Sequence, residues 1–388
     1  MFGNATPKKA ITFTKYSVSL CCGWPLPSSA SKRQFYGYLF LKVVGALLTV
    51  AVFLPALWSL YLHIDDPVVT GNTFGLACAL LQSFANIIIC TIQHNRYQRL
   101  IEEMTNYVDK AESHEMAIFQ RYVDKYSTYH GTSTLFPYFC AALIVVATLF
   151  LEQPFPVVSE YPFRVDYEPV RTIIFLNHSF VALQSGSSVS LNTLTALLLL
   201  FAAARFDILM LHLGKAVTVA DLKECMKMYD DVKRYAHDVV GGIQYITLST
   251  VLFSSIILVN AGLNIIGHLA FAVKCQFTFV ALTGLLEVFT CVLPADRLKE
   301  VSEGAIRSVY NLKWYERDLS VQKMICRMIV RQKPIVVSFI YIIPQLSLDY
   351  YCSYIANAFS LFTTLRFLLS EPEEIMSSDI VNATCCNN

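Results

Sequence analysis

The side chains that most often carry out chemistry are dispersed along this 388-residue sequence. Its 8 histidines and 12 cysteines do not fall at metal-ligand spacings, and the sequence contains neither a Gly-rich phosphate loop nor a nucleophile motif. Glu287 and Asp349 are the only carboxylates inside long apolar runs, where a carboxylate is a candidate functional group. Each stands alone near the basic end of its run, so we favour a paired or solvated boundary residue. The sequence predicts no enzyme, no cofactor and no metal site.

The composition is that of a membrane protein. Hydrophobic residues make up 55% of the chain and charged residues 15%, against about 25% charged residues in an ordinary soluble fold. A net charge of +1 does not suit a protein that neutralises nucleic-acid phosphates. Several charge-free apolar stretches approach the length that crosses a bilayer. Together these features predict an all-α, polytopic membrane protein.

Seven apolar stretches are predicted to be transmembrane helices. Their approximate ranges are 39–62, 74–93, 134–151, 172–204, 245–269, 271–293 and a segment within 334–369. Most of the 30 Lys and Arg residues fall in the N-terminal segment and after the second, fourth and sixth spans, which is typical of cytoplasmic segments. The N-terminus is therefore predicted to be cytoplasmic and the C-terminus external, the reverse of a receptor coupled to G proteins.

These predictions divide the chain into seven parts. They are a cytoplasmic N-terminal segment (1–38), spans one to four with the first cytoplasmic loop and a Pro-rich external loop (39–204), a cytoplasmic helical extension (205–244), spans five and six (245–293), cytoplasmic anchor helices (294–345), the seventh span (346–369) and an external tail (370–388). Apolar residues spaced three and four apart in 221–241 and 298–318 predict helices that continue into the cytoplasm. Their apolar faces suit either a bundle within the subunit or a contact between subunits.

The outer half of the fourth span is too polar for a passive lipid anchor, because polar groups in hydrocarbon need partners or water. It predicts a face turned to a cavity or to neighbouring helices, and an apolar pocket with a few polar groups is the usual form of a small-molecule site. At any one position, helix packing or lipid contact is the commoner role. The candidate pocket residues are Phe74, Cys78, Leu81, Ile144, Thr148, Leu151, His178, Val181, Ser185, Phe277 and Val280.

The seventh span has a polar stripe. Ser360, Thr364 and Leu368 recur every four residues and therefore share one helix face. Such a stripe suits a pore wall that closes on an apolar residue and gates by dewetting. Small polar residues also serve as dry contacts between membrane helices, so composition leaves both interpretations open.

Several motifs resemble those of insect odorant receptors, in the same order along the chain. They are Cys-Gly-Trp-Pro-Leu at 22–26, a Pro-rich external connection at 154–163, Asp-Arg-Leu-Lys-Glu-Val-Ser-Glu at 296–303 followed by Tyr310, Trp314 and Tyr315, Gln-Lys-Pro at 332–334, Leu-Ser-Leu-Asp at 346–349, and Phe-Ser-Leu-Phe-Thr-Thr-Leu-Arg at 359–366. The C-terminal third carries the most specific of these motifs. The Thr-Tyr and Gln-Phe element expected of the related gustatory receptors is missing.

The resemblance implies a four-subunit, odorant-gated, non-selective cation channel in the plasma membrane of olfactory sensory neurons. The chain lacks the long insertion between spans four and five that is typical of the shared co-receptor, so it resembles a tuning subunit that binds a small volatile ligand and assembles with that co-receptor. The implied pore residues are Ser360, Thr364, Phe367 and Leu368, with Phe367 at a position where the co-receptor has Gln. The implied odorant pocket lies in the outer leaflet between spans two and six.

Two other functions remain open from the sequence. One is a gustatory-type channel that works without the co-receptor. The other is a secondary transporter, which would be expected to show inverted repeats and broken helices. No convincing similarity between the two halves of the chain is seen.

Overall fold

Helices make up almost all of the computed structural model. It describes residues 5–148, 155–157, 159–216, 218–266, 271–311, 315, 318–329, 333–339 and 342–385. Within these residues the helices are α1 (Pro7–Ser17), α2 (Lys32–Leu62), α3 (Pro67–Ile92), α4 (His94–Lys110), α5 (Ser113–Ala147), α6 (Val170–Val189), α7 (Leu191–Lys215), α8 (Val219–Ile266), α9 (Phe271–Asn311), α10 (Leu319–Ile329) and α11 (Leu348–Cys385). The predicted all-α, polytopic fold class is confirmed.

Six helical stretches among the described residues are long and apolar enough to cross a membrane. They are Lys32–Leu62, Val69–Ile92, Ser113–Val146, Val170–Lys215, Val219–Ile266 and Val273–Asn311. The seventh predicted span corresponds to α11, which is not among the six. Several helices also extend well beyond the predicted spans on the basic side. The orientation of the chain in the membrane, with a cytoplasmic N-terminus and an external C-terminus, remains a prediction.

The fourth predicted span, 172–204, is not one helix. α6 ends at Val189 and α7 begins at Leu191, and Ser190 lies between them. Both the backbone N–H and the hydroxyl of Ser190 donate to the carbonyl of Gly186, at 3.1 and 3.0 Å. A serine hydroxyl that bonds back to the preceding turn often bends a helix. The polar residues of this span therefore divide it into two segments.

α7 is the central helix of the subunit. Almost every side chain along it is buried, including Leu198, Leu199, Ala202, Ala203 and Phe206. A helix that is apolar on all sides must be covered by other helices or by lipid, and other helices cover α7. α8 and α9 pack along α7, and α4 and α5 cover its remaining faces.

The predicted helix at 221–241 forms the first half of α8, and its apolar face is buried within the subunit. Tyr235 is fully buried and donates to the carbonyl of Leu100 at 3.2 Å, and Tyr97 on α4 donates to the carbonyl of Gly242 at 2.9 Å. This stripe therefore serves the packing of one subunit. In the segment 298–318, Val301, Ala305 and Val309 are likewise buried, whereas Tyr310 and Tyr315 are exposed.

The N-terminal segment packs against the bundle. The backbone N–H of Cys21 donates to Ser187 Oγ at 3.1 Å, and Ser187 Oγ donates to the carbonyl of Ser17 at 3.1 Å. Thr14 Oγ1 and His130 Nε2 are hydrogen-bonded at 2.8 Å between α1 and α5. These buried bonds fix the segment before α2 to α5 and α6, and they use a serine of the polar part of the fourth span.

Candidate functional site

A cavity of about 190 Å³ lies where α2, α3, α5, α6, α8 and α9 meet. Five of the predicted pocket residues line it, namely Ile144, His178, Val181, Ser185 and Val280. Most of the remaining wall is apolar, with Val52, Leu76, Leu80, Ala141 and Ile257 among the lining side chains. An apolar cavity with a few convergent polar groups is the expected form of a small-molecule site. The polar segment of the fourth span does face a cavity.

Three of the other predicted residues lie on α3 but do not line the cavity. The α3 residues that line the cavity are Leu76, Ala79, Leu80, Gln82 and Ser83, which share one helix face. Phe74, Cys78 and Leu81 lie on the opposite face, where Phe74 is 39% and Leu81 44% exposed and Cys78 is buried. The polar residues Gln82 and Ser83 mark the inward face of α3, whereas the prediction was drawn from other residues of the helix.

The last three predicted residues lie beside the cavity or outside the described chain. Thr148 is buried one turn beyond Ile144, and Phe277 is buried about one turn before Val280. Leu151 lies outside the residues that the structure describes. As odorant contacts, all eleven residues remain predictions.

The cavity wall contains a polar cluster that sequence reasoning missed. Glu287 Oε2 accepts hydrogen bonds from Gln82 Nε2 at 2.9 Å and from Ser254 Oγ at 3.2 Å. All three residues are buried and all three line the cavity. The interpretation of Glu287 as a paired residue holds in part, but its place is in the wall of a cavity rather than at a boundary. The available signal was a lone carboxylate within an apolar run.

A second polar group of the wall is His178. Its Nε2 is hydrogen-bonded to the hydroxyl of Tyr161 at 2.9 Å, and the ring of Phe155 lies 5.6 Å from the imidazole. Tyr161 and Phe155 come from the Pro-rich connection between α5 and α6. Burial raises the pKa of Tyr161, so its phenol is neutral at physiological pH. The connection thus supplies an aromatic cover for α6 beside the cavity.

A larger cavity of about 420 Å³ lies elsewhere, beneath the N-terminal helix. It is enclosed by α1, α4, α5 and α7, with Phe13, Tyr126 and Leu200 among its lining residues. None of the predicted pocket residues lines it. We therefore take the smaller cavity, with its convergent polar groups, as the candidate ligand site.

The polar stripe of α11 faces away from its own subunit. Tyr354, Ala358 and Phe362 are buried against the bundle, while Ser360, Thr364 and Phe367 are exposed on the opposite face. The hydroxyl of Thr364 donates to the carbonyl of Ser360 at 2.9 Å, within the helix itself. Ser360 and Thr364 therefore make no dry helix contact with the described part of their own subunit. Leu368 continues the helix one turn after Thr364, and its side chain lies outside the described part of the structure.

Comparisons with known proteins agree with the fold and identify the family. The family model described as "7tm Odorant receptor" matches residues 70–359, most of the chain. This chain belongs to the 7tm odorant receptor family and is an odorant receptor, a multi-pass membrane protein. No curated protein sequence matches it.

Two solved structures share the fold. One is the insect olfactory receptor OR5 from Machilis hrabei, with 15% identity and a TM-score of 0.77 over 92% of this chain and 97% of that one. The other is the same receptor in complex with eugenol, with 15% identity and a TM-score of 0.77 over 93% of this chain and 98% of that one. At this identity the likeness establishes the fold alone.

Proposed function

We propose that this chain is the ligand-binding subunit of a heteromeric, odorant-gated, non-selective cation channel formed with the insect odorant co-receptor. The two-sided α11 is the observation that carries the proposal. Its buried face packs on the subunit, and its opposite face exposes Ser360 and Thr364. A polar face within a membrane needs water or protein to cover it. A water-filled pore between four such helices meets that need and lets cations pass, with Phe367 and Leu368 near its external end.

The ligand in this proposal is a small volatile molecule that occupies the cavity between α3, α6 and α9. A volume of about 190 Å³ is below the range of roughly 300–1,000 Å³ found for drug-sized ligands. The likeness to a receptor solved with eugenol supports a small organic ligand. Binding opens the channel only if the ligand has a higher affinity for the open state than for the closed state.

A direct contact joins the cavity to the pore helix. α9 contributes Val280 and Glu287 to the cavity wall, and the carbonyl of Leu285 on the same helix accepts a hydrogen bond of 3.2 Å from the hydroxyl of Tyr351 on α11. The rings of Phe289 and Tyr351 lie 5.4 Å apart. A shift of α9 on ligand binding therefore acts on α11 through Tyr351.

In this proposal the assembled channel lies in the plasma membrane of olfactory sensory neurons, with lipid around its outer helices.

The test is whole-cell current during a broad odorant panel, with this chain expressed alone and together with the co-receptor. Odorant-evoked cation current only in the co-expressing cells supports the proposal. Thr364→Ala and Leu368→Ala should then change conductance or gating, while Ile355→Ala, which lies on a lateral face of α11 outside the polar stripe, should not. Current from the chain alone would indicate a self-sufficient channel of the gustatory type. Silence in both cell lines despite surface delivery would contradict the channel and favour a transporter.

A further inference from the structure

The described wall of the candidate odorant cavity contains one carboxylate, Glu287, and only one of its two oxygens accepts hydrogen bonds from the described residues. Glu287 Oε2 accepts both of the hydrogen bonds that reach the group, from Gln82 and from Ser254. Oε1 accepts none from the residues that the structure describes. The side chain is nevertheless buried, with 6% of the residue exposed.

The hydroxyl groups of Ser83 and Thr283, which also line the cavity, already have partners. Ser83 Oγ donates to the carbonyl of Ala79 at 3.0 Å, and Thr283 Oγ1 donates to the carbonyl of Phe279 at 2.8 Å. The described lining residues include no Lys and no Arg. Neutral hydrogen bonds on one oxygen leave a buried carboxylate under-compensated, because a buried charge needs pairing as well as hydrogen bonding.

We propose that the ligand completes this site by donating a hydrogen bond to Glu287 Oε1. The preferred ligand is then a small amphiphile with an apolar body and one donor head group, a hydroxyl or a protonated amine. Leu76, Leu80 and Val181 supply apolar wall for the body. The inference rests on the proposed function, since it takes this cavity to be the odorant site, and it adds the chemical class of the ligand.

Molecules without a donor fit the cavity less well for a definite reason. An aldehyde or an alkane that displaces water from Oε1 leaves a buried acceptor without a partner, and that desolvation is costly. A hydrogen bond to a charged group is strong enough to favour the donor ligand by about tenfold or more in potency. The carboxylate therefore acts on specificity, while shape and apolar burial provide the common part of the affinity.

The experiment uses the full receptor co-expressed with the co-receptor and four ligands of equal chain length: hexanol, hexylamine, hexanal and hexane. Half-maximal concentrations for the current are measured in the wild type, in Glu287→Gln and in Thr278→Val. Glu287→Gln keeps the size of the side chain but removes its charge, so the advantage of the donors should shrink by about tenfold, most strongly for the amine. Thr278→Val is the matched control on α9, because Thr278 does not line the cavity and its hydroxyl bonds to its own helix.

Each outcome decides the matter. Hexanol or hexylamine more potent than hexanal and hexane by about tenfold in the wild type, with the order lost in Glu287→Gln and kept in Thr278→Val, supports the proposal. Hexanal or hexane as potent as the donors overturns this inference and leaves the proposed function intact. No odorant current at all, despite surface delivery, overturns both. If Glu287→Gln does not reach the surface, the order of the four ligands in the wild type still decides.

Discussion

Arg205 forms an ion pair of 2.9 Å with Glu103 from a position where its own side chain is only 3% exposed. Its second nitrogen donates to Asp231, so one guanidinium connects α7 with α4 and α8. The rings of Tyr107 and Tyr235 lie 4.7 and 5.2 Å from the same group. Arg suits such a site because its planar group stacks on aromatic rings while it pairs with carboxylates. These contacts fix the helices of the predicted cytoplasmic side to one another.

The first prediction concerns the removal of this buried charge. Arg205→Met should lower the free energy of unfolding by about 2–3 kcal/mol, because two carboxylates lose a charge-assisted partner at a packed helix junction. The measurement is the thermal unfolding of purified receptor in detergent. Arg234→Met is the control, since Arg234 pairs with the same carboxylates but is 53% exposed, and exposed pairs contribute about 0–1 kcal/mol. Equal losses from the two variants would contradict the assignment of Arg205 as the central residue.

The second prediction is the pH dependence of the same network. Burial raises the pKa of Asp231, but the hydrogen bonds from Arg234 and Arg205 and their charges outweigh it, so the net pKa is lowered. A carboxyl group with a lower pKa in the folded state stabilises the protein above its unfolded pKa, about 3.9, and loses this contribution as the pH falls through the folded value. The stability difference between the wild type and Asp231→Asn should be constant from pH 7 to about pH 5 and disappear in stronger acid. A difference that declines between pH 7 and pH 5 would count against this mechanism.

The third prediction tests the packing of the N-terminal segment. Cys21 is 2% exposed, and burial raises the pKa of its thiol to about 11. Only the thiolate is nucleophilic, so a buried thiol with this pKa should not react with a maleimide at neutral pH. Cys326 on α10 is exposed and should be modified under the same conditions. Peptide mass spectrometry measures both sites, and labelling of Cys21 should appear only after denaturation. Rapid labelling of Cys21 in the folded receptor would show that the segment does not pack as described.

The fold was predictable because bilayer spans depend on long apolar runs and on the distribution of basic residues, and both are local in sequence. The break at Ser190 was not predictable from hydropathy, because it depends on one hydroxyl that bonds to the preceding turn. The partners of Glu287 were not predictable from its position along the chain, because Gln82 and Ser254 come from two other helices. α9 continues to Asn311, and the side chain lies among buried residues of three helices.

A related physical reason explains why some of the predicted pocket residues line the cavity and others do not. His178, Val181 and Ser185 line the cavity, and the polar residues on one part of α6 indicate which face turns inward. The apolar residues of α3 alone do not specify its rotation about the helix axis, whereas Gln82 and Ser83 mark the face that lines the cavity. Leu80 and Leu81 illustrate the point, as adjacent leucines of which only the first lines the cavity.

This adjacent pair provides the fourth prediction. Leu80→Ala should enlarge the cavity and lower the potency of a small agonist by about tenfold, because the loss of a buried leucine side chain removes about 2–5 kcal/mol of packing, part of which is contact with the ligand. Leu80 is 2% exposed, whereas Leu81 is 44% exposed on the opposite face of α3. Leu81→Ala should change the potency little, since lipid tails are as apolar as a leucine side chain and replace its contacts.

Concentration-response curves of Leu80→Ala and Leu81→Ala, normalised to surface delivery, test this fourth prediction. A longer homologue of the agonist should recover part of the lost potency in Leu80→Ala by filling the added space, and it should gain nothing in Leu81→Ala. The reverse result, with potency lost in Leu81→Ala and kept in Leu80→Ala, would mean that α3 turns its other face to the ligand. The odorant site would then lie on the exposed side of α3 rather than in the cavity beside Glu287.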